Sequence, residues 1–125
     1  MKSGWFFERN GFPEQDYLAT LQKARKENIR VAYSNEAFEI WLILHFCYQD
    51  TAIPRNQYAD ILTRYLGSYR KNQTDLYEKL LPYQAEAIRN AERLMNSYFP
   101  NHNPARDNPC TTVHLLVQEL NRHLR

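Results

Sequence analysis

The first third of the chain constrains the fold most, because two short apolar segments flank a segment with helical periodicity. Residues 5–7 are Trp-Phe-Phe and residues 29–33 are Ile-Arg-Val-Ala-Tyr, and each run has the length and residue types of a buried strand. Between them, residues 13–28 carry an apolar stripe at helical spacing, formed by Tyr17, Leu18, Leu21 and Ala24. This order of segments predicts two parallel strands joined by a right-handed crossover.

The rest of the chain reads as helix. Ser34 or Asn35 can cap a helix over residues 36–46, which is apolar on nearly every face and must therefore be buried. Three further helices are predicted, over residues 56–66, after Pro82 and from about Thr111 onward. In this interpretation Thr111 caps the last helix.

These segments predict an α/β fold that is predominantly helical, in a single domain of residues 1–125. A short parallel strand-helix-strand unit and the buried helix occupy residues 1–47, and a helical C-terminal region follows over residues 48–125. Two parallel strands make a poor sheet alone, because parallel strands need cover on both faces and neighbours at their edges. We therefore expect either a homodimer whose strands complete a joint sheet, or a chain that is one part of a larger protein.

Composition sets limits on location and partners. The 125 residues carry a net charge of +2, which permits a nucleic-acid partner but does not demand one. With two cysteines and no signal-peptide pattern, the chain is expected to be cytoplasmic. Its most apolar stretch, residues 38–47, is too short to span a bilayer and contains Glu39 and His45, so no membrane partner is expected.

Three motifs together resemble those of a known family. Residues 34–46 are similar to the pattern S-N-x-x-F-E-x-W-L-L-L-H-F, with Ile43 at one of its leucine positions. Residues 69–71 match Y-x-K, and residues 108–117 match N-P-x-T-x-V-x-x-L-V. In this order and spacing they resemble the RloB-like family, which occurs beside restriction-modification or abortive-infection genes. The resemblance implies a role in phage defence, a partial Toprim-like fold, and a partner ATPase. It identifies the chain as the C-terminal part of such a protein.

The Toprim resemblance also implies a metal site. Toprim proteins hold Mg²⁺ or Mn²⁺ with an Asp-x-Asp pair that follows an apolar strand, and the matching residues here are Glu8 and Asn10. Both positions depart from the pattern, and the neutral amide of Asn10 holds a hard cation more weakly than a carboxylate does. If the chain is active, the resemblance implies that Glu39 assists the metal pair and that Lys71 steadies the phosphate.

Glu39 and His45 are the titratable groups of the predicted buried helix. A buried carboxylate either binds backbone amides or an arginine, or serves as a metal ligand or acid/base, and both interpretations of Glu39 stay open. His45 is better explained as a satisfied core residue, with phosphate contact or proton transfer as the catalytic alternative. Trp41, one turn before His45, is most simply a core anchor.

Candidate nucleic-acid contacts lie later in the chain. Arg70 and Lys71, close to two tyrosines, form the best candidate for a phosphate-contacting patch, although a solvated helix end explains them equally well. The amides at Thr111 and Thr112 could bind an anion at a helix start, beside their capping role. His114 is expected on an exposed polar face with Gln118 and Asn121.

Other chemistries are excluded by spacing. A zinc site from His102, Cys110 and His114 matches no known ligand pattern, and three glycines cannot build a phosphate-binding loop. Two functional hypotheses remain. The first is a metal-dependent, Toprim-like nuclease, or a degenerate remnant of one, that acts on nucleic acid. The second is a non-catalytic module that docks on a partner ATPase or binds nucleic acid without cutting it.

Overall fold

The computed structural model describes residues 4–9, 13–27, 30–71 and 73–124. Strand β1 (Gly4–Glu8) pairs in parallel with strand β2 (Arg30–Asn35), from Gly4 opposite Arg30 to Glu8 opposite Ser34. Helix α1 (Glu14–Lys26) connects them. Acidic residues in its first turn and basic residues in its last turn complement the helix dipole. The predicted strand-helix-strand unit is therefore confirmed.

A third strand, which the sequence did not predict, completes the sheet. Strand β3 (Cys110–Thr111) pairs antiparallel with the end of β2 and gives the sheet order β1-β2-β3. Because of this pairing, β2 continues through Ser34 and Asn35, where the sequence predicted its end. The Ser34 and Thr111 hydroxyls, both fully buried, share a hydrogen bond of 2.7 Å across the pair. The Cys110 side chain beside them is also fully buried.

The remaining secondary structure is helical, as expected. The helices are α2 (Glu39–Ile43), α3 (Tyr58–Leu66), α4 (Leu76–Leu80), α5 (Gln84–Asn96) and α6 (Val113–His123), with 3-10 turns at Arg55–Gln57 and Leu81–Tyr83. Helix α2 is shorter than the predicted 36–46 at both ends, because residues 36–38 are not yet α-helical and residues 44–46 form turns. A mixed α/β fold with a small sheet and a helical C-terminal region is thus confirmed.

The core is built around α2. Ile40, Trp41, Leu42 and Ile43 are all buried, as the continuous apolar run required, and they pack against α3 and α5. Burial of each such side chain contributes about 1.5–3 kcal/mol. The prediction that Trp41 anchors the core is confirmed.

Helix α6 differs from its prediction in two ways. It starts at Val113, and its first amide donates a hydrogen bond of 3.2 Å to the Thr111 hydroxyl, while Thr112 occupies the cap position itself. His114, expected on an exposed polar face, is buried. Helix α5 covers that face, and Glu92 from α5 lies near enough to act on the His114 ring. The packing of α5 against α6 therefore buries His114, although Gln118 and Asn121 on the same face are polar.

The apolar stripe of α6 extends beyond the core. Val113 is buried, Leu116 and Val117 are half-buried, and Leu124, just past the helix end, is 78% exposed. None of the helices in the described residues is both long and apolar enough to cross a membrane.

Candidate functional site at the carboxyl ends of the parallel strands

The last residue of β1 is the carboxylate Glu8. The carboxyl ends of parallel strands meet at one edge of a sheet, so Glu8 lies where the chain passes from β2 to α2. Its Oε1 accepts a hydrogen bond of 2.9 Å from the Phe38 amide. The Lys71 Nζ lies 3.7 Å from the same oxygen and is on a side chain that is 64% exposed. Among the described residues, Glu8 thus has one backbone partner and one loosely held cation.

A second carboxylate, Glu39, lies beside this pair. Its Oε2 accepts a hydrogen bond of 3.0 Å from the Tyr69 hydroxyl. Burial raises the pKa of Tyr69, and the negative charges of Glu39 and Glu8 raise it further, so the phenol stays neutral and donates. We call Glu8, Glu39, Tyr69 and Lys71 the strand-end cluster. The structure brings together three residues for which the sequence predicted roles, Glu8, Glu39 and Lys71.

A third carboxylate, Glu36, lies at the border of the cluster. Arg55 Nε approaches its Oε1 at 3.8 Å. The buried hydroxyl of Tyr58, which has no hydrogen-bond partner among the described residues, lies close to this charge. Burial, together with the charges of Glu36, Glu39 and Glu8, raises the pKa of Tyr58 to about 12. The edge of the sheet is therefore acidic and is partly balanced by Lys71 and Arg55.

Carboxylate oxygens are the ligands that Mg²⁺ prefers, so the chemistry of Glu8 and Glu39 suits such an ion. The described ranges contain no group of three or more histidine, cysteine or acidic side chains placed to hold one. Asn10, predicted as the second metal ligand, lies outside the described residues. The described residues alone therefore do not fit a complete metal centre.

The structure places His45 in the core, without a contact to the strand-end cluster in the described part of the chain. Its Nδ1–H donates a hydrogen bond of 3.0 Å to the Trp41 carbonyl, and the Trp41 ring meets it edge-on at 4.8 Å. Burial lowers the pKa of His45, so the imidazole is neutral at pH 7. These contacts are those of a packed core residue, and a catalytic role for His45 stays a prediction.

The predicted nucleic-acid contacts divide into two groups. Arg70 is exposed beside Lys71, and its backbone amide donates to the Gln73 side chain at 2.8 Å. Thr111 and Thr112 are buried, and the Thr112 hydroxyl accepts a hydrogen bond of 3.0 Å from the Tyr33 amide. Arg70 and Lys71 are accessible to a large ligand. The Thr112 amide already donates to the Tyr33 carbonyl at 2.8 Å, and the two threonine hydroxyls serve the sheet and the start of α6.

A second polar group, which sequence reasoning did not find, lies on the loop before β3. Asp107 Oδ2 accepts a hydrogen bond of 2.6 Å from His102 Nδ1, and His102 Nε2 accepts one of 2.7 Å from the Tyr33 hydroxyl. We call these three residues the loop network. Asn35, at the end of β2, donates from its side-chain amide to loop carbonyls, including those of Ala105 and Asp107 at 3.1 Å. The distance in sequence between Tyr33 and Asp107 left no local signal for this contact.

Comparison with known proteins gives one finding on identity. A family model described as RloB-like protein matches residues 7–120, which is most of the chain. The match includes all three motifs and the whole strand-end cluster. Searches among curated proteins and among solved structures found no match.

Proposed function

Because this chain belongs to the RloB-like family, we propose that it acts on nucleic acid in phage defence and contacts the sugar-phosphate backbone at the strand-end cluster. The observation that carries this proposal is the convergence of Glu8, Glu39 and Lys71 at the carboxyl ends of two parallel strands. Open α/β sheets commonly bind their ligands at this edge.

Lys71 is the group best suited to a phosphate. Its ion pair with Glu8 spans 3.7 Å on an exposed side chain, and such pairs contribute about 0–1 kcal/mol. Loss of the Lys71 ion pair with Glu8, when Lys71 contacts a phosphate oxygen instead, therefore costs little free energy. Arg70 is exposed next to it, so two cations can follow a phosphate backbone at this point.

Cleavage is the more specific form of the proposal. The Toprim resemblance implies a phosphodiester-cleaving enzyme that uses Mg²⁺ or Mn²⁺, and the described residues contribute only Glu8 and Glu39 toward such an ion. We therefore separate binding of nucleic acid from metal-dependent cleavage and test them independently.

The binding test uses fluorescence anisotropy with labelled single-stranded DNA and RNA at several salt concentrations. We expect Lys71→Ala to weaken binding uniformly across sequences and to reduce the salt slope by about 1, as loss of one phosphate contact does. Lys79→Ala is the matched control, because Lys79 also forms an ion pair, with Asp75, but lies outside the cluster. Equal binding by both variants would reject Lys71 as the phosphate contact.

The cleavage test is a calorimetric titration of Mn²⁺ into the protein and into a Glu8→Gln, Glu39→Gln variant, followed by assays on DNA and RNA. Saturable binding that the variant lacks, together with metal-dependent cleavage, would support the enzyme. Absence of both from the unmodified chain would reject it.

A non-catalytic module is the second candidate, and one observation favours it. One carboxylate oxygen of Glu8, Oε1, already has two partners in the described chain without a metal, the Phe38 amide and Lys71. Such a module would dock on a partner ATPase or bind nucleic acid without cutting it. Nucleic-acid binding without cleavage, or co-purification with an ATPase, would favour this alternative.

A further inference from the structure

Strand β2 has a backbone edge that is only partly used. The Ser34 carbonyl accepts from the Arg9 amide on the β1 side, whereas the Tyr33 carbonyl accepts from the Thr112 amide on the α6 side, at 2.8 Å each. Backbone groups of alternate residues in a strand face the same side, so Val31 also directs its N–H and C=O toward α6. Neither group makes a hydrogen bond to a residue that the structure describes.

A cavity lies along this unused part of the edge. It has a volume of about 280 Å³ and lies between β2 and α6, with mainly apolar walls. Its lining includes Val31, Ala32, Thr112, Leu115 and Leu116. A backbone donor and acceptor beside apolar walls are the features of a small-molecule site in which a few polar groups fix the orientation.

The ion pair between Arg30 and Glu119 bounds the cavity at one end. Arg30 Nη1 lies 3.0 Å from Glu119 Oε2, which joins the start of β2 to the second half of α6. Since α6 runs beside the strand over this whole length, the remaining space suits a compact ligand better than an added strand. Ligand pockets in proteins begin at about 300 Å³, so this cavity is at the small end of the range.

We propose that this cavity binds the adenine ring. Adenine presents N1, which accepts, and the adjacent N6 amino group, which donates, and these complement the neighbouring N–H and C=O of Val31. Its flat faces would lie against apolar lining residues such as Leu116. Guanine has additional polar groups that the mainly apolar walls would leave without partners, which costs binding free energy. The site uses no residue of the strand-end cluster, so it does not depend on the function proposed above.

The test is an NMR titration of the full chain with adenosine, in which the backbone amide signal of Val31 is followed. We expect a saturable shift of this signal, and a much weaker response to 1-methyladenosine, whose methyl group blocks N1. A single-stranded oligoadenylate in parallel distinguishes a free nucleoside from a base of nucleic acid as the source of the ring. No saturable shift with adenosine or oligoadenylate, or equal binding of 1-methyladenosine, would overturn the proposal.

Two variants on the same helix locate the site. Leu116→Phe fills the cavity and should weaken adenosine binding by about tenfold or more, because the added ring occupies the ligand volume. Leu120→Phe makes the same change outside the cavity and should leave binding unchanged. Equal affinity in both variants would place the adenine elsewhere and overturn the assignment. The 1-methyladenosine comparison needs no substitution, so it decides the matter even if Leu116→Phe does not fold.

Discussion

The strand-end cluster and the loop network are both polar groups next to the end of β2, yet they are held very differently. In the loop network His102 is only 8% exposed and its two hydrogen bonds measure 2.6 and 2.7 Å. In the strand-end cluster the corresponding ion pair spans 3.7 Å and Lys71 is mostly exposed. An Asp-His-Tyr chain resembles a catalytic relay, but both nitrogens of the His102 ring already have hydrogen-bond partners within the network. The strand-end cluster is therefore the group in which Lys71 can exchange Glu8 for a ligand.

The loop network should therefore contribute more to stability, and Asp107→Ala tests this most strongly. The substitution leaves the His102 Nδ1–H and the Asn103 amide, which donates to the same oxygen at 2.8 Å, without an acceptor. We expect the free energy of unfolding to fall by about 2–4 kcal/mol in urea denaturation. Asp50→Ala, at an exposed position, is the control. A loss no larger than that of the control would show that the network does not anchor the loop.

Acid should destabilise the protein through two other imidazoles. Burial lowers the pKa of both His45 and His114 below 6.5, so each is neutral when folded and takes up a proton more readily when unfolded. Their stabilising contribution is thus fully present above pH 6.5 and is lost as the pH falls below it. The loss is at most about 1.4 kcal/mol per pH unit for each ring.

Urea denaturation at pH 7.5 and pH 5.5 measures this dependence. His114→Asn should reduce the slope, whereas Gln118→Asn, in the same helix, removes no titratable group and should leave it unchanged. A slope that His114→Asn does not alter would assign the acid sensitivity to other groups.

Within the strand-end cluster, Tyr69→Phe should have a smaller effect. It removes one hydrogen bond to Glu39, which can regain water, and should cost about 0.5–1.5 kcal/mol of unfolding free energy. Tyr77→Phe is the matched control, because that ring is exposed. A loss above about 3 kcal/mol would mean that this cluster is held as firmly as the loop network.

Lys71→Ala should change stability least, by less than about 1 kcal/mol, because its ion pair is exposed to solvent. The same urea measurement, with Lys79→Ala beside it, checks the value. A large loss would identify Lys71 as a structural support of Glu8 and would weaken its assignment as a phosphate contact.

The sequence predicted the elements whose signal is local. Residues 40–43 are continuously apolar, and the strand-helix-strand order fixes a parallel pair, so the core helix and the sheet edge that carries Glu8 followed directly. The two-residue strand β3 has no periodicity to detect, since its pairing depends on Ser34 and Asn35 far away in the chain.

The same contrast applies to individual side chains. The burial of His114 depends on α5 packing over its helix, which no pattern within α6 records. In the candidate site, the motifs indicated Glu39 and Lys71 and the Toprim comparison indicated Glu8, but none of them predicted that the Tyr69 hydroxyl donates a hydrogen bond to Glu39. Such contacts arise from the positions of separate elements in space.

Because Cys110 is buried, its alkylation can report when β3 separates from β2. Burial raises the pKa of this thiol to about 12, so almost no reactive thiolate forms while the strand is paired. An alkylating reagent can modify Cys110 only when β3 separates from β2. The half-buried Cys47 lies outside β3, so its alkylation does not require this separation. A change in the Cys110 alkylation rate relative to that of Cys47 therefore reports a change in local opening at this edge of the sheet, without a denaturant.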